Sequence, residues 1–82
     1  MDYVVYILYS EKRSRYYVGQ TQDIDDRLIR HNNGLVKSTK SRAPWTLKVT
    51  ILVETRSEAL LLEKRIKKRG AKRYLEDNQF GV

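Results

Sequence analysis

The 82-residue chain is long enough for one small domain, and its 17 basic and 10 acidic residues give it a formal net charge of +7. It contains no cysteine, which excludes a disulfide framework and any thiolate metal site. No apolar run approaches the ~18–20 residues that are needed to cross a membrane, and the first residues do not begin a signal peptide. We therefore expect a folded, soluble, cytoplasmic protein with no membrane partner.

The first predicted element is a β-hairpin that contains five of the six tyrosines. Residues 3–9 are apolar or aromatic at every position and contain no Gly or Pro, which favours a strand covered on both faces and therefore a central strand. Residues 10–15 are polar and predict a turn, and residues 16–19 predict the returning strand.

The register of this hairpin decides whether two of the tyrosines can act together. If Tyr9 faces Ser14, then Tyr6 falls directly opposite Tyr17, and directly opposed side chains point to the same face of a sheet, about 5 Å apart at Cβ. A slip of one residue would place the two on opposite faces. A tyrosine in a strand is usually a packing residue, and it accepts a proton only if its pKa is lowered or its proton is relayed onward.

An amphipathic helix follows the hairpin and is predicted to end at the Asn-Gly pair 33–34. Ile24, Leu28 and His31 recur at i, i+4 and i+7, which is typical of a buried stripe. Arg27 lies four residues before His31 at the border of this stripe. The arginine either keeps its head in water or braces phosphate oxygens, and the histidine is either a packed helix-end residue or a proton acceptor.

The second half of the chain predicts a loop, a strand and a helix. Residues 35–44 form a polar, basic loop, and residues 45–53 alternate as a long strand. A capping-box pattern opens a helix over residues 55–69, and Gly ends it. Residues 71–77 predict a last short turn of helix, and residues 78–82 predict a loose tail.

These elements predict one α/β (α+β) domain over residues 1–82, with its core at about 3–75. The order β-β-α-β-α predicts a three-stranded antiparallel or mixed sheet flanked by helices.

Glu63 is the most informative residue of the long helix. On a helical wheel it lies between Ala59 and Leu60, within the apolar stripe. A carboxylate there costs several kcal/mol unless it is paired with a cation or a metal. One interpretation is a salt bridge to Arg27 or a nearby lysine, and the other is a ligand for a hard divalent cation, which prefers oxygen donors.

The positive charge is concentrated in two segments. Residues 55–73 carry eight Lys or Arg against two acids, and residues 37–48 carry four with no acid. Such a field attracts nucleic acid, although a solvated basic face that keeps a small protein soluble is the alternative.

Two short motifs are followed by three further residues in a defined order. Val4-Val5-Tyr6 is separated from Tyr17-Val18-Gly19 by ten residues between the two tyrosines. An Arg-x-x-x-His, a basic Ser/Thr loop and a Glu in the long helix come later. This order resembles the GIY-YIG nuclease family, especially its small standalone, UPF0213-like members, with Val for Ile in the second motif and Val-Val for Gly-Ile in the first. The resemblance covers residues 3 to about 75.

The resemblance implies a three-stranded antiparallel sheet flanked by helices and hydrolysis of a phosphodiester bond with one divalent ion, Mg²⁺ or Mn²⁺. Glu63 is implied as the metal ligand, and Arg27 as the group that stabilises charge on the phosphoryl oxygens. Tyr6 is implied to position or deprotonate the attacking water, with His31 as the final proton acceptor. Tyr17 is implied to orient water or phosphate.

The same resemblance implies nucleic acid as the partner, DNA rather than RNA. Lys37, Thr39, Lys40 and Arg42 in the basic loop are expected to contact the nucleic-acid backbone without reading bases. Asn78 is a further candidate at the metal, because some relatives carry a late polar residue there.

Two functions from different classes stay open. The first is a structure-selective or weakly sequence-specific DNA endonuclease, with a role in DNA repair or recombination. The second is a binding module for DNA or RNA that retains the fold without cleaving. The complete catalytic set favours the first, whereas the small size favours a module that depends on a protein partner for specificity.

Overall fold

The computed structural model describes residues 2–78, which form a sheet with helices on both faces. In chain order the elements are β1 (Tyr3–Ser10), β2 (Arg15–Thr21), α1 (Ile24–Asn32), a short 3-10 turn (Lys40–Arg42), β3 (Thr46–Val53), α2 (Arg56–Arg69) and α3 (Ala71–Asp77). The predicted order β-β-α-β-α is confirmed, and the last predicted turn is α3. The predicted tail falls mostly on residues 79–82, which lie outside the described range.

β1 is the central strand, with β2 on one side and β3 on the other, and both pairings are antiparallel. Residues 5–8 have no exposed surface, because helices cover both faces of this strand. The continuous apolar run therefore marked the central strand, as predicted. The α+β class with a three-stranded sheet is confirmed, and the sheet is antiparallel throughout.

The hairpin register differs from the prediction by two residues. Tyr6 pairs with Gly19, and Tyr17 pairs with Leu8. The strands extend to Ser10 and Arg15 and leave a four-residue turn in which Ser14 adopts a φ of 52°. A shift of two residues keeps side chains on their original face, so Tyr6 and Tyr17 remain on one face as diagonal neighbours.

Two apolar clusters lie on the two faces of the sheet. On one face, Tyr6 and Leu8 pack with Trp45, and the apolar side of α1 covers them. On the other face, α2 and α3 pack on β1 and β2, in a cluster formed by Val5, Ile7, Val18, Ala59, Ile66 and Leu75. The alternation of side chains along β1 thus sends Tyr6 toward α1 and its neighbours Val5 and Ile7 toward α2.

Both long helices begin with a side-chain cap. Asp23 accepts a hydrogen bond from the backbone N–H of Asp26 at the start of α1. Thr55 accepts from the N–H of Glu58 at 3.1 Å, and its hydroxyl donates to the Glu58 carboxylate at 3.2 Å. The Thr55 half of the predicted capping box is therefore present, and the Glu58 carboxylate accepts from the Thr55 hydroxyl. Within residues 2–78, no helix is both long and apolar enough to span a bilayer.

Candidate active site

The Tyr6 hydroxyl lies 3.0 Å from Nε2 of His31. β1 supplies the tyrosine and the last turn of α1 supplies the histidine, and neither side chain has exposed surface. The apolar stripe of α1 docks on the Tyr6 face of the sheet, which carries His31 over the tyrosine ring. Two residues separated by 25 positions thus form one buried polar pair.

Thr39 determines which nitrogen of His31 carries the proton. Its hydroxyl lies 2.7 Å from Nδ1 of His31 and 3.3 Å from the Val36 carbonyl, which can only accept a hydrogen bond. The Thr39 hydroxyl therefore donates to Val36 and accepts from Nδ1–H. With Nδ1 protonated, Nε2 is the lone-pair nitrogen and accepts from the Tyr6 hydroxyl. We assign this tautomer from the hydrogen-bond network.

Tyr17 lies beside this pair on the same face of the sheet. Its ring centroid is 6.2 Å from that of Tyr6 and 5.0 Å from that of His31, and the side chain is half-buried. Gly19 makes this packing possible. A Cβ at that position would lie 2.6 Å from the Tyr6 hydroxyl oxygen and 3.0 Å from a Tyr17 ring carbon, so no larger residue fits without displacing a tyrosine.

Arg27 brings positive charge to the site from the preceding turn of α1. Burial, and to a smaller extent Arg27, hold the pKa of His31 below its ordinary value of 6.5. His31 is therefore neutral at neutral pH and free to accept a proton. Arg27 itself is half-buried.

The pKa of Tyr6 is raised to about 12. Burial is the largest cause, and Tyr17 and the more weakly acting Glu63 add to it, whereas Arg27 opposes the rise. The Tyr6 hydroxyl consequently stays protonated at neutral pH. Tyr6 can take a proton from water only if it passes its own proton to His31 as it does so.

Glu63 lies on α2, the helix that packs on the other face of the sheet. Its carboxylate Oε2 lies 2.7 Å from Nζ of Lys67 one helical turn later, and 20% of its side chain is exposed. The salt-bridge interpretation is thus present in the structure, with Lys67 as the partner. Its charge is the weakest of the influences on the pKa of Tyr6, which it raises.

The donor set around Glu63 suits a hard cation with few protein ligands. Within residues 2–78, no group of three or more His, Cys, Asp or Glu could hold a metal. Mg²⁺ commonly uses one or two carboxylates and completes its shell with water and substrate phosphate. One partly exposed carboxylate, completed by water and substrate phosphate, fits that pattern. Asn78 ends α3, and its amide donates to the Tyr74 carbonyl at 2.9 Å, so no described contact joins it to Glu63.

The basic loop divides into surface residues and one buried residue. Lys37 and Lys40 are exposed and Arg42 is half-buried, which leaves their charges open to a polyanion. Thr39 has no exposed surface, so it cannot reach a nucleic-acid backbone in this conformation. Its contacts are with His31, and this differs from the role expected from the sequence.

Trp45 also contributes to the site, and sequence analysis missed this. Its indole N–H donates to the Thr39 carbonyl at 3.2 Å, and its ring lies 6.1 Å from the Tyr17 ring. It thereby fixes the loop that carries Thr39 beneath His31. A single tryptophan directly after a basic loop was the available signal, because a large aromatic in a small domain usually anchors an adjacent segment.

Known proteins match this chain over most of its length. Residues 2–75 match the GIY-YIG catalytic domain. The UPF0213 protein SSP2268 of Staphylococcus saprophyticus is 46% identical over 52 residues, which are 62% of this chain and 63% of that protein. The chain therefore matches slightly less than two thirds of that relative's length. The UPF0213 protein BH0048 of Halalkalibacterium halodurans is 35% identical over 68 residues, 82% of this chain and 71% of that protein.

A solved structure supports the same relationship. The solution NMR structure of the UPF0213 protein BH0048 from Bacillus halodurans aligns with a TM-score of 0.61 and 31% identity, covering 99% of this chain and 88% of that one. The family match takes in both tyrosine motifs, the Arg-x-x-x-His helix and Glu63. The chain belongs to the GIY-YIG family, and its relatives are small UPF0213 proteins.

Proposed function

We propose that this protein is a divalent-metal-dependent endonuclease that hydrolyses phosphodiester bonds in DNA, selecting DNA structure or, weakly, sequence. The observation that carries the proposal is the hydrogen bond that Tyr6 donates to a neutral His31, with Arg27 beside both. A protein that only binds nucleic acid has no need of a buried proton relay. Membership of a catalytic-domain family supports the same class of activity.

Hydrolysis requires that a proton leave the attacking water. Tyr6 accepts that proton while its own hydroxyl proton moves to Nε2 of His31, 3.0 Å away. The relay keeps Tyr6 neutral throughout, which matters because its pKa of about 12 makes a free tyrosinate costly. Thr39 holds Nδ1–H of the histidine, so the acceptor nitrogen always faces the tyrosine.

The remaining residues act on the phosphate. Arg27 stabilises the charge that develops on the phosphoryl oxygens, and Tyr17 orients the water or the phosphate. Glu63 would hold one Mg²⁺ or Mn²⁺ ion, which would supply Lewis-acid polarisation of the scissile phosphate. Lys37, Lys40 and Arg42 then contact the nucleic-acid backbone without reading bases.

Access to Tyr6 depends on its half-buried neighbours. Tyr6 has no exposed surface in this structure, so water and phosphate reach its hydroxyl only when an adjacent side chain moves. Arg27 and Tyr17 are both partly exposed. Attraction of Arg27 to a substrate phosphate would draw the guanidinium outward and open the site when substrate is bound.

Incubation with branched, flapped, nicked and duplex DNA and with RNA tests the proposal, in Mg²⁺ or Mn²⁺ and in EDTA. Wild-type protein should cut at least one DNA in metal and none in EDTA. Glu63→Ala should abolish cleavage and leave binding in place, whereas Glu54→Ala, an exposed carboxylate at the end of β3, should cut normally. Cleavage by Glu63→Ala at the wild-type rate would refute the role of Glu63.

A nucleic-acid-binding module without cleavage is the second candidate function. The observation that favours it is the ion pair between Glu63 and Lys67, which occupies one carboxylate oxygen. Binding to the same DNA and RNA panel without cleavage in either metal would establish this function. A role in DNA repair or recombination in the cytoplasm, and a protein partner that supplies specificity, are further parts of our proposal.

A further inference from the structure

A groove lined by three arginines lies at the turn end of the hairpin. It has a volume of about 770 Å³, and its lining residues are Arg13, Arg15, Tyr16, Ser41 and Arg42. Its arginines come from the β1–β2 turn, from the start of β2 and from the basic loop. Arg13 and Arg15 were not among the residues expected to bind nucleic acid.

Ser10 holds the two walls of this groove together. It has no exposed surface, and its hydroxyl donates to the Arg42 carbonyl at 2.6 Å. The same oxygen accepts from the backbone N–H of Arg13 at 3.3 Å. One buried serine therefore bonds segments that are 32 residues apart in sequence and sets the positions of Arg13 and Arg42 relative to each other.

The positive charge of the groove has no acidic partner. No carboxylate lines it, and among residues 2–78 none of its three arginines forms an ion pair. The Arg42 guanidinium donates to the Ser38 carbonyl at 3.0 Å, which holds its side chain in place without neutralising it. Three uncompensated guanidiniums around one concavity repel each other, and an anion between them relieves that repulsion.

The groove continues the candidate active site along the sheet. Arg15 lies two residues from Tyr17 on β2, so it is on the same face and about 7 Å away. Ser10, which bonds Arg42, lies four residues from Tyr6 on β1, about 13 Å away on that face. A nucleic-acid strand that lies along this face would therefore bring phosphates of neighbouring nucleotides to both places.

The other strongly basic surface lies on the opposite side of the sheet. It is lined by Arg65, Lys68, Arg69 and Arg73 of α2 and α3. Those helices cover the face away from Tyr6, and Arg69 is paired with Asp77 at 2.7 Å. This surface therefore provides a control of similar charge.

We propose that Arg13, Arg15 and Arg42 form a phosphate-binding groove that holds the nucleic-acid strand a few nucleotides from the scissile phosphate. Arginine suits this task because its planar guanidinium binds two phosphate oxygens at once. The proposal rests on the proposed function for the location of the scissile phosphate. Binding of the backbone phosphates themselves does not require that the protein cuts.

The test measures binding of fluorescein-labelled single-stranded and duplex oligonucleotides in EDTA, in a Glu63→Gln background, over a range of salt concentrations. Replacing Arg13, Arg15 and Arg42 together by Gln should weaken binding at least tenfold. It should also make the negative slope of log K against log salt shallower by about 2 to 3, as expected for three lost phosphate contacts. The matched control replaces Arg65, Lys68 and Arg73 by Gln, which removes the same charge and should leave the slope within one unit.

Equal losses in both triple variants would overturn the proposal, because the effect would then be one of total charge. An unchanged slope in the groove variant would overturn it as well. If circular dichroism shows that the triple variant is unfolded, the double variant of Arg13→Gln and Arg15→Gln replaces it, since both side chains are exposed and Arg42 keeps its contacts. That variant should lower the slope by about 1 to 2.

The same measurements separate this proposal from the nuclease function. Wild-type protein that binds through the groove but cuts none of the substrate panel would leave the groove in place and refute the endonuclease. Wild-type protein that cuts DNA while the groove variant binds normally would refute the groove alone.

Discussion

Tyr6 and His31 are both fully buried, and the tyrosine hydroxyl lies 3.0 Å from the histidine nitrogen. A buried tyrosine with a pKa of about 12 is a poor base by itself. A neutral histidine on its hydroxyl removes that obstacle, because the proton can leave as another arrives. The pair can therefore take a proton from water at neutral pH, which Tyr6 could not do alone.

Replacing Tyr6 by Phe tests the relay directly. The variant keeps the ring and removes the hydroxyl, so proton transfer is lost and cleavage should fall by about 10²- to 10⁴-fold. It also leaves Nε2 of a buried histidine without a partner, which should lower the free energy of unfolding by about 1–3 kcal/mol. Single-turnover cleavage and urea unfolding measure the two effects. Cleavage within twofold of wild type would exclude Tyr6 from the chemistry.

Thr39→Val should change the tautomer of His31 with little change in shape. Without the hydroxyl, Nδ1–H has no acceptor, so the proton should move to Nε2, and cleavage should fall about tenfold or more. Thr39→Ser retains the hydroxyl, so it should keep the wild-type tautomer of His31 and the wild-type cleavage rate. Nitrogen chemical shifts report the tautomer without overlap, because the chain has one histidine. An unchanged tautomer in Thr39→Val would contradict the assignment.

The protonation of His31 should make both activity and stability depend on pH. Burial first, and Arg27 second, lower its pKa below 6.5, so the unfolded chain binds this proton more readily than the folded one. The stability contribution is therefore fully present above about pH 6.5 and is lost as the pH falls toward the folded pKa. Cleavage should fall over the same acidic range, because a protonated histidine cannot accept the proton from Tyr6.

An NMR titration of His31 checks this prediction. Arg27→Gln removes the second cause and should raise the pKa of His31 toward, but not to, its ordinary value. Arg30 is an exposed residue on the same helix, so Arg30→Gln is the control and should leave the pKa of His31 nearly unchanged. A pKa at or above 6.5 in the wild-type protein would contradict the burial argument.

Gly19→Ala should lower both stability and cleavage, because it disturbs the packing of the two site tyrosines. The added methyl group would lie 2.6 Å from the Tyr6 hydroxyl oxygen, so one tyrosine must move, and overpacking of this kind costs about 1–3 kcal/mol. Cleavage should fall more than tenfold. Gly34→Ala is the comparison. Gly34 lies outside the site, and its φ of 71° would strain an alanine there as well. It should lose stability and keep cleavage, as thermal melts and rate measurements would show.

Lys67→Gln should tighten metal binding. Lys67 pairs with Glu63 at 2.7 Å and competes with a cation for the same carboxylate. Removing it should lower the Mg²⁺ concentration for half-maximal cleavage severalfold. Lys64→Gln, an exposed neighbour on α2, should have a much smaller effect. If Lys64→Gln lowered the Mg²⁺ concentration for half-maximal cleavage more than Lys67→Gln did, Lys67 would not be competing with the cation for Glu63.

Most of the fold could be predicted because its signals are local. The apolar run of residues 3–9 marked the central strand, and the Thr55–Glu58 cap marked the start of α2. Strand alternation and helix periodicity are written in consecutive residues. The shared face of Tyr6 and Tyr17 survived an error of two residues in register for the same reason, since side chains alternate with a period of two.

The register itself was not predictable from the strands. Tyr9 pairs with Tyr16, and the turn between them depends on Ser14 adopting a positive φ. The polar sequence of residues 10–15 is compatible with several turn lengths. Only the pairing of β1 with β3 and the packing of both hairpin strands against the helices select one of them.

The sequence by itself determined the order of elements and placed the two tyrosine motifs on the first two strands. The tertiary structure alone decided that Thr39 lies under His31 and that Ser10 joins Arg13 to Arg42. These contacts join segments up to 32 residues apart. Local propensity carries no information on such contacts, because they form only when helices and loops pack on the sheet.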